Sequence, residues 1–275
     1  MAAAPRPDGS SGAARPEGGR QEWPHKWPQA LWLVRHGQSA GNVARDVAEQ
    51  GGLTVIDIAD RDIDVPLSEL GQRQAAALGD WIGALARRER PSALLCSPYL
   101  RARRTLDALV ERGGLEADAV RVDERLREKE FGILDRLTRR GIAVQYPRLA
   151  EQRAHVGKFY FRPPGGESWC DVILRLRSVL DTLTREYRGE RVLIVSHQVV
   201  VNCMRYLMER LDERAILDID AQGDVPNCGV TGYEFDPGAG RCGKLCLSRL
   251  NFVAPLQDTA TPVTSEPDQP VATKP

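Results

Sequence analysis

Short apolar runs separated by longer stretches of helical period leave a chain few ways to bury its backbone, and this pattern runs from Ala30 to Leu247. Ala30-Leu-Trp-Leu-Val34 is large, apolar and stopped by Arg35, which reads as a strand buried on both faces. Ala93-Leu-Leu-Cys96 and Arg191-Val-Leu-Ile-Val-Ser196 repeat the signal, and Val120-Arg-Val122 predicts a shorter strand. Between them, Ser68 to Arg88 places Leu70, Leu78, Trp81, Ile82 and Leu85 on one face, with Ser68 able to cap the start. Pro98 to Arg112 predicts a second helix ended by Gly113-Gly114, with Arg103 and Arg104 on its solvated face. A third runs from Asp171 to Tyr187 with Val172, Ile173, Leu176, Val179, Leu180, Leu183 and Tyr187 in one stripe, and a fourth from Val199 to Glu209. Gly232-Tyr-Glu-Phe235 and Lys244-Leu-Cys-Leu247 flank a Gly-rich turn and predict a terminal hairpin. Strands alternating with helices predict a three-layer α/β/α architecture, with a mostly parallel sheet and right-handed crossovers.

Composition sets the edges of this domain. Residues 1–29 are rich in Ala, Pro, Gly and Arg without an apolar period, and 254–275 are a run of Pro, Thr, Val and Asp. Both are expected to be disordered tails around one domain at 30–253. The charged, irregular stretch over about 124–168 is long enough to be an insertion that caps the sheet. Lys and Arg number 38 against 38 Asp and Glu, a balance that argues against nucleic acid as the partner. No apolar run approaches the roughly 18 residues that cross a bilayer, and the first residues lack the apolar core of a signal peptide, so a cytoplasmic protein is expected. The six scattered cysteines then read as reduced thiols. Cys242 and Cys246 have no second Cys/His pair to complete a metal site, and neither metal nor cofactor is expected.

Ligands of such sheets bind just beyond the carboxyl ends of the strands. Arg35-His36-Gly37-Gln38-Ser39 follows the first strand, Ser97-Pro-Tyr-Leu-Arg101 the second, and Ser196-His197-Gln198 the strongest one. A single histidine in such a place is most often a buried imidazole bonded to backbone. Here two of only four histidines meet two arginines on one rim, and together they no longer read as isolated buried imidazoles.

These segments also carry a resemblance. Arg35-His36-Gly37 with Ser39 and Asn42 behind it resembles the signature of the histidine phosphatase superfamily, the fold shared with cofactor-dependent phosphoglycerate mutases. Asp64-Val-Pro-Leu-Ser-Glu-Leu-Gly71, Ser97-Pro-Tyr-Leu-Arg-Ala-Arg-Arg-Thr105, Leu126-Arg-Glu-Lys-Glu-Phe-Gly132 and Val195-Ser-His-Gln198 are similar to further family motifs, in family order. The resemblance implies a phosphomonoester hydrolase acting through a phosphohistidine on a small phosphorylated metabolite. It makes His36 the nucleophile, Glu128 the proton donor and acceptor, and His197 a second catalytic group, with Arg35, Asn42 and Arg101 on the phosphate. Glu130 is the local rival of Glu128. Gln198 is similar to the fructose-bisphosphatase branch and hints at a sugar phosphate.

The chemistry agrees with those residue types. A nearly dianionic phosphomonoester suits planar guanidinium donors, and a histidine nucleophile needs one ring nitrogen held so that the other faces phosphorus. One carboxyl can protonate the leaving alkoxide and later take a proton from water. Specificity is expected from the cap, where Lys158-Phe-Tyr-Phe-Arg-Pro-Pro-Gly-Gly-Glu-Ser168 offers Arg162 to a second anionic group, with Ser39 and Gln198 as further substrate contacts. Three other readings compete. A 2,3-bisphosphoglycerate-dependent mutase shares the first half-reaction, but Ile133-Leu-Asp-Arg-Leu-Thr-Arg-Arg140 departs from the Gly-rich stretch that follows the acid motif in mutases, although Arg139 and Arg140 could supply cationic contacts. Gly37-Gln-Ser-Ala-Gly41 formally matches the nucleophile elbow of an α/β-hydrolase, with Ser39 as nucleophile. A catalytically dead phosphate-binding module would be expected to have lost at least one of the four rim residues, and all are present.

Overall fold

The computed structural model describes residues 25–265. In chain order its strands are β1 (Ala30–Arg35), β2 (Ala93–Cys96), β3 (Val120–Val122), β4 (Arg191–Ser196), β5 (Val230–Asp236) and β6 (Lys244–Phe252). Its helices are α1 (Ala40–Gln50), α2 (Glu69–Ala84), α3 (Leu100–Gly113), α4 (Arg139–Gln145), α5 (Pro147–Val156), α6 (Trp169–Glu186), α7 (Gln198–Glu209), α8 (Glu213–Gln222) and α9 (Ala254–Asp258). The strands form one sheet in the order β3-β2-β4-β1-β5-β6. The first four pair in parallel, and β5 and β6 add the antiparallel hairpin.

Alternation along each strand divides the core into two layers. Leu31, Leu33, Leu95, Val192 and Ile194 face α6, α7 and α8, where Leu176, Val179, Met204 and Ile216 meet them. Trp32, Val34, Leu94, Leu193 and Val195 face the other way, onto Leu78 and Ile82 of α2 and Leu106 and Leu109 of α3. Both faces of the central strands are therefore clad, which is why their sequences are continuously apolar instead of alternating.

Within residues 124–168, α4 and α5 pack around a separate small core of Leu134, Leu137 and Phe161. The long loop after α1 is stitched to this region, since the Ile56 N–H donates to the Arg136 carbonyl (2.8 Å) and the Thr138 N–H to the Thr54 carbonyl (3.2 Å). Helices α1, α4, α5 and α8 escaped the periodicity. In α1 and α5 the apolar stripe is thin because these helices cover a polar pocket and the cap rather than the main core.

Ordered structure extends past both expected boundaries. The tail expected from Ala254 begins instead with α9, whose Leu256 is fully buried against the α2 side of the core, and Thr261 to Ser265 continue along the surface. A single well-placed leucine anchors a segment whose composition reads as disorder. The N-terminal edge moves too, because the Trp27 carbonyl accepts from Gly189 (3.0 Å) and the Gln29 N–H donates to Glu190 (2.8 Å), while residues 1–24 of that expected tail lie outside the described residues. Leu256→Ala is expected to lower unfolding free energy by about 2–4 kcal/mol in chemical denaturation, the range for a buried leucine leaving a cavity. An unchanged midpoint would return the segment to a tail.

Candidate active site

The register of the two central strands builds the site. β1 and β4 pair with Arg35 opposite Ser196, so the chain leaves both strands at one level and delivers His36 beside His197. The His36 N–H donates to the Ser196 carbonyl (2.9 Å), which extends the pairing one residue past the strand. The two rings meet edge to face at 5.1 Å between centroids. His36 Nδ1 lies 2.7 Å from the Gly37 carbonyl, and a carbonyl only accepts, so Nδ1 carries a proton and, in the neutral ring, Nε2 carries the lone pair. His197 Nε2 is hydrogen-bonded to Ser97 Oγ (2.8 Å), which enters from the end of neighbouring β2. Nothing local in the sequence marks Ser97 for this contact.

Gly37 and Gly71 explain two of the sequence motifs together. A Cβ on Gly37 would stand 2.5 Å from the Gly71 carbonyl oxygen, and one on Gly71 would stand 1.9 Å from that of Gln38. The loop after β1 thus crosses the first turn of α2 at a distance that only two glycines permit. The Gly37 N–H donates to Thr105 Oγ1 (3.0 Å), whose own proton goes to the Arg101 carbonyl (2.8 Å).

Both expected arginines are buried at this rim. Arg35 Nη1 donates to the Val225 carbonyl (2.5 Å), and Arg101 Nη1 donates to the Asp62 carbonyl (2.6 Å) and carboxylate (2.9 Å). Tyr99 lies under the Arg101 guanidinium at 4.8 Å, packs edge-on to His197 at 5.0 Å and donates its hydroxyl to Glu130 (3.2 Å). Burial, and then the neighbouring Asp62 and Glu130, push the Tyr99 phenol well above its ordinary range, so it stays protonated. Ser39 and Asn42 form the capping box of α1, with the Ser39 N–H and hydroxyl both donating to Asn42 Oδ1 (2.9 Å each). The Ser39 hydroxyl serves the helix cap, and the hydroxyl on His197 is that of Ser97, which removes the geometry that a Ser39 hydrolase needs.

The acid motif is separated by burial. Glu128 is completely buried and its Oε1 accepts from the Lys129 N–H (2.7 Å), whereas the Glu130 side chain is 46% exposed and 3.5 Å from Arg127. An ion-pair cluster holds this loop: Glu167 joins Arg127 (2.8 Å) and Arg175 (3.0 Å), and Arg175 also donates to the Glu128 carbonyl (3.2 Å). Lys129 sits over the Phe131 ring at 3.9 Å, and burial brings its ammonium down to about 8.

A pocket opens beside Ser39, Asn42 and Arg101. Arg45, Arg136, Asp60, Asp62 and Asp135 give it both charges, and Ile56, Ile58, Val65 and Phe131 give it an apolar wall. Arg45 and the loop after α1 went unnoticed in sequence, where nothing local distinguishes them from a solvated helix and its linker. Arg162 is not among the lining residues: its guanidinium makes a two-pronged ion pair with Asp171 at the start of α6, on the exterior. Gln198 is buried and donates to Asp224 (2.5 Å). The six cysteines stand as free thiols, and burial pushes Cys96 up to about 12 and Cys203 and Cys228 upward too, so none of these three is a thiolate at neutral pH. Among the described residues, no group of three or more His, Cys, Asp or Glu side chains could hold a metal ion, and no helix is long and apolar enough to cross a membrane.

A mostly parallel α/β sheet with paired histidines and buried arginines at its carboxyl rim defines an enzyme class built for phosphoryl groups. The comparisons make this specific: the family model of the histidine phosphatase superfamily, branch 1, matches residues 31–247, and the chain belongs to that superfamily. It is 33% identical over 225 residues to a 6-phosphofructo-2-kinase/fructose-2,6-bisphosphatase of Caenorhabditis elegans, covering 78% of this chain and 44% of that protein. It is 28% identical over 174 residues to a probable phosphoglycerate mutase of Photorhabdus laumondii, covering 63% and 72%. The chain spans less than half the length of the first curated relatives it matches. A mycobacterial glucosyl-3-phosphoglycerate phosphatase solved with VO3 superposes with a TM-score of 0.60 at 27% identity, over 81% of this chain and 99% of that one.

The Arg162–Asp171 pair carries the prediction that separates a substrate contact from a structural one. Arg162→Ala is expected to leave KM for any phosphomonoester substrate within a factor of two. Asp171→Ala should cost about 1 kcal/mol at pH 7, because Asp171 also completes the capping box on Ser168. The Arg162 hydrogen bond first, and then Ser168, hold the Asp171 carboxyl well below the usual carboxylate range. A depressed pKa stabilises above the unfolded value of about 4 and fades as pH falls below it, so the difference between wild type and Asp171→Ala should shrink from pH 7 to pH 3. A large KM increase in Arg162→Ala would restore it to the substrate site.

Proposed function

We propose that the chain hydrolyses phosphomonoesters of small metabolites through a phosphohistidine on His36. The observation that carries this reading is the 2.7 Å contact of His36 Nδ1 with the Gly37 carbonyl, which aims an unprotonated Nε2 away from the loop, on a rim shared with His197 and the buried arginines. In the first step Nε2 bonds to phosphorus as the bond to the leaving oxygen breaks, and Glu128, entering as the acid, gives that oxygen its proton. In the second, the Glu128 carboxylate takes a proton from water, the water oxygen bonds to phosphorus, and the P–N bond breaks to release inorganic phosphate. Arg35, Arg101 and Asn42 hold the phosphoryl oxygens. His197, held by Ser97, donates to them as charge develops.

Complete burial of Glu128 supports it over the half-exposed Glu130, since desolvation favours the protonated form that the first step requires. The mixed charges and apolar wall of the pocket suit a polar, hydroxyl-bearing leaving group, and the substrates named for two of the relatives make sugar-derived phosphomonoesters the first panel to try. The free thiols, several of them buried, suit a reducing cytoplasm.

Measured inorganic phosphate release from that panel, set against interconversion of 3- and 2-phosphoglycerate with 2,3-bisphosphoglycerate supplied, tests the reading. Mutase turnover well above phosphate release would overturn it. His36→Ala should remain folded and lose turnover by at least about a thousandfold, because the residue contributes a nucleophile rather than packing volume. Glu128→Gln should slow sugar phosphates by roughly 10²–10⁴ and p-nitrophenyl phosphate by much less, since p-nitrophenol leaves without a proton. Equal losses on both substrates would remove the proton-transfer role from Glu128.

A further inference from the structure

The nucleophile loop is held by a segment that lies beyond residue 247, where the matched family region ends. Two peptide groups flank Gly37. In one, the His36 carbonyl accepts from Asn227 Nδ2 (3.0 Å) while the Gly37 N–H donates to Thr105. In the other, the Gln38 N–H donates to Gln74 Oε1 (2.9 Å) while the Gly37 carbonyl holds His36 Nδ1. Asn227 and Gln74 come from different parts of the fold, and both are completely buried.

Their amides meet on one hydroxyl. Thr264 Oγ1 donates to Asn227 Oδ1 (2.9 Å) and accepts from Gln74 Nε2 (2.9 Å). The backbone of the same segment adds two bonds, from the Asn227 N–H to the Thr264 carbonyl (2.8 Å) and from Gln74 Nε2 to the Pro262 carbonyl (2.9 Å). The Pro262 carbonyl only accepts, so it turns the Gln74 NH2 toward the segment, and the Thr264 hydroxyl, accepting from that NH2, has its one proton left for Asn227 Oδ1. With those orientations, Asn227 presents N–H to the His36 carbonyl and Gln74 presents oxygen to the Gln38 N–H. Reversed, each amide would put like against like beside the nucleophile.

We infer that Thr264 is a positioning residue for His36, and that segment 261–264 is a strap that sets the two peptide groups around Gly37 and, through the Gly37 carbonyl, the tautomer and direction of the His36 ring. Leu256 of α9 anchors the strap in the core, so the hydroxyl is delivered by packing rather than by a sequence neighbour of the site. The strap's effect on rate rests on the phosphohistidine reading, but its effect on the ring does not.

The test uses the full chain with Thr264→Val, which keeps the shape and removes the hydroxyl, and Thr264→Ser, which keeps the hydroxyl. Thr264→Val should lower kcat about tenfold with KM within a factor of two, since a misaligned nucleophile costs rate rather than binding. Thr264→Ser should recover most of that loss. With only four histidines in the chain, ¹⁵N spectra of the ring nitrogens read the strap without turnover. Wild type should show His36 protonated at Nδ1, and Thr264→Val should move the ring toward a mixture of tautomers. Should Thr264→Val fail to fold, Thr264→Ala carries the same expectations. Full kcat with unchanged His36 ring signals in the folded variant would overturn the proposal. A wild type inactive on every phosphomonoester would sink the hydrolase reading, and the ring signals would then decide the strap alone.

Discussion

The parallel pairing of β1 with β4 is the constraint on which the rest depends. Arg35 opposite Ser196 fixes the level at which two chain segments far apart in sequence emerge from the sheet, and the bond from the His36 N–H to the Ser196 carbonyl carries that register into the site. A slip by one residue would turn every side chain of the strand to the opposite layer, placing Trp32 and Val34 where Leu31 and Leu33 now pack. The two hydrophobic layers that stabilise the fold therefore also guard the relative placement of the two histidines. Stability and geometry are one property here.

Burying so many polar groups at the rim is costly unless each is satisfied, because an unpaired buried donor or acceptor loses about 1–3 kcal/mol relative to water. The chain meets this with backbone as much as with side chains. Carbonyls of Val225, Asp62 and Gly37 receive Arg35, Arg101 and His36, and the Asp62 carboxylate adds charge to its share. Such groups are held before any substrate arrives, and preorganised donors need no rearrangement when charge develops on a phosphoryl group. Tyr99 links the two halves of this arrangement, with one face on Arg101, an edge on His197 and its hydroxyl on the acid loop.

The cap is attached by a different kind of force. Its own core is small, around Leu134, Leu137 and Phe161, and its junction with the domain relies on Glu167, Arg127 and Arg175, all largely buried. A charge cluster of this kind is sensitive to geometry in a way that an apolar contact is not, and it fixes the loop that carries Glu128. The pocket beside Arg101 is charge-balanced, with Arg45, Arg101 and Arg136 against Asp60, Asp62 and Asp135 and an apolar wall among its lining.

The sequence by itself determined which runs become central strands, because β1, β2 and β4 are buried on both faces and only continuous apolar residues satisfy that position. It also determined which residues stand at their carboxyl ends: Arg35 closes β1 and His36 follows it, Arg101 lies in the first turn of the helix after β2, and His197 follows β4. Only the tertiary structure decided what depends on partners distant in the chain. It placed β4 between β2 and β1, and put Arg162 on Asp171 instead of in the pocket. It distinguished Glu128 from Glu130 by burial, and brought Thr264 to Asn227 and Gln74 from a stretch whose composition reads as tail. Periodicity records the average environment of an element, whereas a hydrogen bond or an ion pair needs two particular atoms to meet. That meeting is set by how the layers pack, which no local window of residues contains.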